Sequence, residues 1–563
     1  MNPITTEEPA PGPERVLAEF AQELQRTIEA LFGHAQSKVQ FEAPRRPEFG
    51  DFSTNVAFSL ARIARRAPED IAASLTAQLR AQNPQLAKHF SEIGSLDGFI
   101  NVRLAPAVWQ QRVAQIARQG ETFGKQPATG RRISLEFGSA NPTGPLVVVQ
   151  GRTTSIGATL ANAFRYCGYE VFTEWIINDA GAQLDTLAQS LYARYRQLWD
   201  PQFPFPENGY PGDYLLPLAN ELAERESDVW CEAPQARWLP YFATFGRDRL
   251  VEEQQATVRR FGITFDLWQS ERALHDSGAV QAGFERLNAA HATFERDGAL
   301  YFRASAFGDD KDRVLIRSDR RPTYLAVDVA YHYDKLRRAD RVIDILGPDH
   351  HGYIGRLRGL AQALGYEGKL EVLIAQQITL MRGGEQISMS KRAGHIVTLQ
   401  EILEEVGKDA ARFFFVMLAP ESPLTFDLEL AKEQSNDNPV YYVQYGHARI
   451  ASVLHNASAQ DMAVLKQSVP ELRQLVHATE LALARRLSEL PSVVQNTVHH
   501  LAPHRLTRYA RDVASDYHQF YTECKILVAD RELRLARLAL CIATKHVLAR
   551  VLGLIGVSAP DSM

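Results

Sequence analysis

Cysteine is scarce in this chain and never falls in a CxxC spacing: Cys167, Cys231, Cys524 and Cys541 lie far apart. That scatter argues against a disulfide framework or a thiolate zinc site and fits reduced, buried residues in a cytosolic protein. A surplus of one charge is missing too. A net charge of −5 does not advertise nucleic acid, so any RNA-binding face must be a local basic surface. The apolar runs read as too short to span a membrane, and the Pro- and Glu-rich start lacks the order of a signal peptide. No internal repeat is visible.

What is present is a 563-residue chain with 45% hydrophobic and 23% charged residues, a composition of soluble globular proteins, and a length that calls for three or four domains. The stretch from Arg131 to Gln183 organises it. Ile133 to Phe137 reads as a strand, and Asn141 to Pro145 is a cluster of turn residues that ends it. Ile156, Leu160, Phe164 and Cys167 recur at helical spacing, and Glu170 to Asn178 reads as a second strand. This βαβ unit places a Gly/Pro loop at a sheet's carboxyl edge, where helix N-termini meet anions. Many chemistries share such a unit, so alone it names none.

Before it, helical periodicity (Val16, Phe20, Leu24, Ile28, Leu31; then Val56 to Ile63 and Ile71 to Leu79) and an Asp-Gly hairpin within Ile93 to Leu104 predict a small α+β domain. After it, a largely helical insertion runs from about 184 to 299. The sheet is expected to resume at Ala299 to Phe302 and Val314 to Arg317, then at Arg341 to Leu346 and Leu370 to Ile374. Beyond about 405, Ala410 to Leu418, Ala431 to Arg449, Pro470 to Leu487 and Leu506 to Leu554 are amphipathic, as in a helical bundle. The expected architecture is multidomain α/β. An N-terminal α+β domain (1–105) precedes a Rossmann-like parallel-sheet catalytic domain (106–405) and a C-terminal all-α bundle (406–563).

The letters narrow the function. S-A-N-P-T-G-P-L, then G-R, then I-N-D-A-G-A-Q resembles the first half of a class I aminoacyl-tRNA synthetase of the arginyl type. G-D-F-S-T-N-V-A and G-F-I-N-V-R-L resemble that family's N-terminal domain, which touches the outer corner of tRNA, and N-P-V-Y-Y-V-Q-Y-G-H-A-R-I resembles its anticodon-binding domain. The resemblance implies ATP-dependent activation of arginine and transfer to tRNA(Arg) for translation, with tRNA required for activation. It implies arginine, ATP with Mg2+ and tRNA(Arg) as partners. A cytoplasmic monomer with no membrane partner and no protein-bound structural metal is expected. There is a departure: where the family carries His-Val-Gly-His, this chain has Val147, Val148, Val149 and Gln150. Losing one donor aimed at developing phosphate charge costs on the order of 2.7–4 kcal/mol. The alternative reading is therefore a catalytically weak paralogue that binds tRNA as a regulator. Another Rossmann nucleotide-binding enzyme would leave the helical C-terminal part unexplained.

Residue roles follow from the resemblance. Lys391 in Ser388-Met389-Ser390-Lys391-Arg392 matches the second lysine of the class I KMSK loop, with Ser388 in place of the first. Alone, Lys391 would pass for an ordinary exposed lysine. With Gln150 it is expected to serve catalysis. Gly144, Val147, Gln150, Gly151, Gly347, Asp349, His350, Met389, Ser390 and Lys391 would bind ATP. Two adjacent histidines, His350 and His351, have no further ligand at metal spacing in the sequence. A guanidinium offers five donors and no acceptor, so its pocket needs carboxylates. Glu271, Tyr324 and Asp328 would bind it, although most acidic residues merely face solvent. Tyr324 and Asp328 share a face if they open a helix. Glu136 and Asn141 would hold the α-amino and carboxyl end. Tyr442, Tyr445 and the terminal Met563 would meet tRNA, the tyrosines by stacking on unpaired bases.

Overall fold

A computed structural model describes residues 12–33, 38–44, 46–387 and 397–563; Met389, Ser390 and Lys391 therefore lie outside the described residues. At the sheet that organises the molecule, five strands run parallel: β1 (Arg132–Ala140), β2 (Glu170–Ile177), β3 (Leu267–Ser270), β4 (Arg341–Leu346) and β5 (Leu370–Ile374). Their order is β5-β4-β1-β2-β3, the Rossmann order, with its switch point between β1 and β4. The helix α1 (Val148–Tyr166) crosses from β1 to β2. It lies close because residue 157 is glycine: a Cβ there would sit 1.9 Å from Phe137 Cγ. The helix α2 (Tyr324–Arg338) leads into β4.

The N-terminal part carries helices Pro13–Phe32, Val56–Ala64 and Pro68–Gln82 on a three-stranded antiparallel sheet. Its hairpin turns at Asp97 and Gly98, both with positive φ (50° and 80°), as a tight Asp-Gly turn requires. Val16, Phe20, Leu24 and Ile28 are buried, but Leu31 is exposed, because the helix ends at Phe32 beyond the edge of its core.

Three features differ from the sequence expectation. Within the stretch read as helical insertion, the helices Gln183–Gln197, Leu215–Glu226 and Gln235–Arg260 are followed by a return to the sheet as β3. Four half-buried residues are too few for a periodic signal. Ala299–Phe302 and Arg313–Ile316 do form strands, but in a separate antiparallel sheet with Thr293–Arg296. In the C-terminal part, local caps reset the helix boundaries. Asn438 caps α3 (Pro439–His455) by accepting from Val440 N at 3.2 Å. The single run expected from Leu506 to Leu554 is two helices, α4 (His504–Glu523) and α5 (Arg531–Ile555), the second opened by Asp530 accepting from Glu532 N at 2.9 Å.

By length and composition α5 is apolar enough to cross a membrane, which the sequence reading did not anticipate, and 67% of its apolar window is buried inside the protein. A helix apolar on all sides is the centre of a bundle when its neighbours cover it, and here α3 and α4 do.

Candidate functional site

The switch point holds a cavity of about 240 Å³. Strand β1 brings Glu136, Ser139 and Asn141 to it, and the end of β2 brings Asn178 and Ala180. Glu271 follows β3 directly, Tyr324 and Asp328 lie one turn apart at the start of α2, and His350 follows β4. The loop after β1 is pinned from outside. Gln254 donates to the carbonyls of Asn141 (3.1 Å) and Gly144 (2.8 Å), and the Tyr214 hydroxyl donates to that of Thr143 (2.6 Å).

Two carboxylates dominate one wall. Burial pushes Glu271 up to about 7, aided by the charges of Asp328 and Asp179 and opposed by the Ala180 N–H. Burial likewise raises Asp328, with His332 and Lys335 opposing it. Neither side chain has a cationic partner within ion-pair distance among the described residues. Asp179 accepts from Ser270 Oγ (2.9 and 2.8 Å) and Arg272 N (3.0 Å), which fixes the backbone on either side of Glu271. Tyr324 stands at the mouth, 64% exposed.

On the cavity floor Lys335 Nζ donates to Glu136 Oε2 and Asp344 Oδ1, both at 2.6 Å, and His332 Nε2 lies 2.9 Å from Asp344 Oδ2. The Lys335 and His332 charges and hydrogen bonds outweigh burial and hold Asp344 down at about 2. Glu136 goes the other way, raised by burial and by Asp344 against the pull of Lys335. Glu136, His332 and Asp344 have metal-ligand proximity. The ammonium of Lys335 already occupies the cation's place between both carboxylates, so the set does not fit a metal.

The residues expected to bind ATP divide. Val147 precedes the first turn of α1, and its N–H donates to Gln150 Oε1 at 3.0 Å. Since an N–H can meet only the oxygen of that amide, the Gln150 NH2 is not used in this bond. Gly151 is buried against the next layer instead: a Cβ there would lie 2.7 Å from Leu399 and 2.8 Å from Phe415. Gly144 lies beside Tyr214, Gly347 is the extended residue before the short turn Pro348–Tyr353, Asp349 is exposed, and the His350 ring meets Tyr353 edge-on. Tyr442 and Tyr445 are far along the chain on α3, half-buried. Tyr442 packs on His518 (4.9 Å), while Tyr445 stacks on Tyr441 (5.9 Å, 7°) and on His518 (6.2 Å), with the Arg449 guanidinium over its ring (4.6 Å). Met563 is exposed at the end of the chain.

Sequence reasoning missed Lys335, His332, Asp344, Asp179 and Gln254. Two signals were available. Asp328, His332 and Lys335 repeat at i, i+4 and i+7 on one helical face, and Asp344 interrupts the apolar strand R-V-I-D-I-L.

Comparison with known proteins gives matches in chain order. The family described as arginyl tRNA synthetase N terminal domain matches residues 18–104, tRNA synthetases class I (R), catalytic domain, residues 244–415, and DALR anticodon binding domain, residues 443–563. An arginine-tRNA ligase of Syntrophotalea carbinolica is 42% identical over 529 residues, covering 93% of this chain and 95% of that protein. Another, from Heliobacterium modesticaldum, is 43% identical over 529 residues with 93% of each covered. The solved arginyl-tRNA synthetase of Thermus thermophilus has the same fold, with a TM-score of 0.73 over 97% of this chain and 100% of that one at 21% identity.

Proposed function

The chain belongs to the arginyl-tRNA synthetase family, and from that premise we propose that its switch-point cavity activates arginine with ATP and passes it to tRNA(Arg). The observation that carries this is the wall of Glu271 and Asp328: a buried and a half-buried carboxylate, the charge of Asp328 raising Glu271, with no cation within ion-pair distance of either among the described residues. Such a pair is complementary to a planar guanidinium, which cannot lose its proton. Tyr324 borders the same end. Glu136 and Asn141, at the carboxyl end of β1, receive the α-ammonium and carboxylate of the substrate.

In the first step an arginine carboxylate oxygen attacks the α-phosphorus of ATP in line. The new O–P bond forms as the bond to the leaving phosphates breaks, giving arginyl-adenylate and pyrophosphate. A terminal ribose hydroxyl of the tRNA then attacks the acyl carbon, and AMP leaves. Class I chemistry of this kind uses ATP with a divalent metal; we take that metal to be Mg2+, arriving with the nucleotide. The first turn of α1 points its free N–H groups and the Gln150 amide at the phosphates. Gly144, Val147 and Gly151 shape that turn, and Gly347, Asp349 and His350 border the nucleoside. Lys391, with Met389 and Ser390 beside it in sequence, supplies the cation of the KMSK-type motif. Tyr442, Tyr445 and Met563 lie on the tRNA side. The working division is 1–105 for the tRNA corner, 106–405 for catalysis and 406–563 for the anticodon, in a cytoplasmic monomer.

ATP–pyrophosphate exchange with arginine, run with and without cognate tRNA, tests the reading. Arginine-dependent exchange with tRNA present is expected. No exchange with arginine, ATP, Mg2+ and tRNA together would overturn it in favour of a binding protein.

A further inference from the structure

Glu136 and Asp344 are register partners on adjacent strands β1 and β4, and both are buried, at 5% and 1% exposure. Like charges directly opposite on a sheet repel. The relief comes from α2, where Lys335, fully buried, donates to both at 2.6 Å. His332 adds a second charge. Its Nε2 meets Asp344 Oδ2 at 2.9 Å and its Nδ1 meets the Asp328 carbonyl at 2.7 Å. Both partners are acceptors, so both ring nitrogens donate and the ring is a cation.

The two carboxylates are treated unequally. Asp344 has both oxygens committed, one to Lys335 and one to His332. Glu136 has one oxygen committed, while Oε1 accepts no hydrogen bond among the described residues and the residue borders the cavity. A carboxylate held by one oxygen on a fixed ammonium, with the other oxygen toward the substrate, is oriented before substrate arrives.

We propose that Lys335 is a positioning residue for amino-acid binding: it holds one oxygen of Glu136 so that the other faces the cavity as the receptor of the substrate's α-ammonium group. The proposal rests on the reading above that Glu136 meets that group. The charged and titratable groups around Glu136 are Lys335, His332 and Tyr331 from α2, Asp344 from β4, and the buried Glu174, its register partner on β2. Of these, Lys335 is the cation in direct contact. Asp344 pushes the other way, so removing Lys335 or Asp344 must move Glu136 in opposite directions.

The test is tRNA aminoacylation by the full chain, with kcat and KM for arginine and for ATP measured between pH 6 and 9. With Lys335→Met, KM for arginine at pH 7 is expected to rise by about tenfold or more, with kcat and KM for ATP within about twofold. The midpoint of kcat/KM for arginine should move alkaline by about one pH unit. Asp344→Asn should move that midpoint acid. In a Glu136→Gln background, where Glu271 alone still shapes the profile, neither substitution should shift it. Unshifted midpoints in both variants, with only a lower melting temperature, make Lys335 a scaffold residue and overturn the proposal. So do shifts that persist with Glu136→Gln. If Lys335→Met does not fold, Asp344→Asn decides alone, and the absence of an acid shift overturns the proposal. Should Glu136→Gln leave KM for arginine unchanged, the ammonium reading itself falls and takes the proposal with it. Should Glu136→Gln raise that KM while the other two variants shift nothing, only the role of Lys335 falls.

Discussion

Glu271 and Asp328 have no cation within ion-pair distance among the described residues, and this has consequences for single residues. With a guanidinium bound and water excluded, removing one carboxylate strands a buried cation. Asp328→Asn and Glu271→Gln are each expected to weaken arginine binding by about 3–5 kcal/mol. Calorimetry with unchanged arginine affinity in both variants would remove these residues from the pocket. The pH dependence has a definite sign. The Glu271 carboxyl lies at about 7 in the folded protein against 4.5 ordinarily, so the fold favours its protonated form. Its contribution to stability is present at low pH and is lost as pH rises from 4.5 through 7. Arginine binds the ionised form. Affinity should therefore rise by up to about tenfold per pH unit toward 7 and level off above it. Titrations at pH 6 and 8 check this, and Glu271→Gln should reduce the difference to the part that Glu136 contributes. A slope of opposite sign would mean that another group controls binding.

At the scale of elements, the first turn of α1 carries Val147 and Gln150 where the family resemblance implies histidines. Val147 N–H is satisfied by Gln150 Oε1, so the turn is capped from within and the Gln150 NH2 remains available. Val147→His, Val149→Gly and Gln150→His together remove that cap while adding two donors. Wild type should turn over at ordinary synthetase rates and the triple variant should gain little. Inactive wild type rescued by about 10²–10³-fold per regained donor would show a degraded site instead. The helix α3 gives a second element-scale contrast. Tyr445 lies parallel to Tyr441, also stacks on His518 and carries Arg449 over its ring, whereas Tyr442 packs against His518 and the core. Tyr445→Ala is expected to weaken tRNA binding by about 1–3 kcal/mol with arginine binding intact. Tyr442→Ala should lower thermal stability as well. Filter binding and melting curves separate them, and normal tRNA binding by both variants would make these core tyrosines only.

Across the whole molecule, buried arginines tie distant segments together. Arg152, fully buried, donates to the carbonyls of Gln376, Gln377, Ala419 and Ser422. Arg412 donates to the Ile555 carbonyl at the end of α5. Arg485 pairs at 2.6 Å with the buried Asp51 of the N-terminal part, whose other oxygen accepts from Leu104 N at 2.8 Å. Arg485→Ala leaves that Asp51 oxygen buried without its partner and should cost about 1–3 kcal/mol in urea unfolding, with faster proteolysis of the N-terminal part. Unchanged unfolding and proteolysis would show that the pair does not hold the two parts together.

Local order was legible in the letters. The Asp-Gly hairpin, the strands around 133–137, 341–346 and 370–374, and the four core positions from Val16 to Ile28 all follow from side-chain periodicity and turn chemistry, which act over a few residues. The family was legible because its motifs are contiguous words, and Glu136, Glu271 and Asp328 could be named from them. Helix limits at Pro439 and Arg531 were written in the caps Asn438 and Asp530, signals a periodicity count passes over. What only the tertiary structure decided is what depends on partners distant in sequence. Whether Ala299–Phe302 joins the main sheet or another depends on which strand is free to pair. Whether an apolar α5 is a membrane span or a bundle core depends on the helices that cover it. Whether Glu136 stands alone or is held by Lys335 depends on a helix 199 residues further along the chain folding back over its strand. Periodicity and motif chemistry propagate along the backbone, whereas charge pairing and burial depend on distance through space.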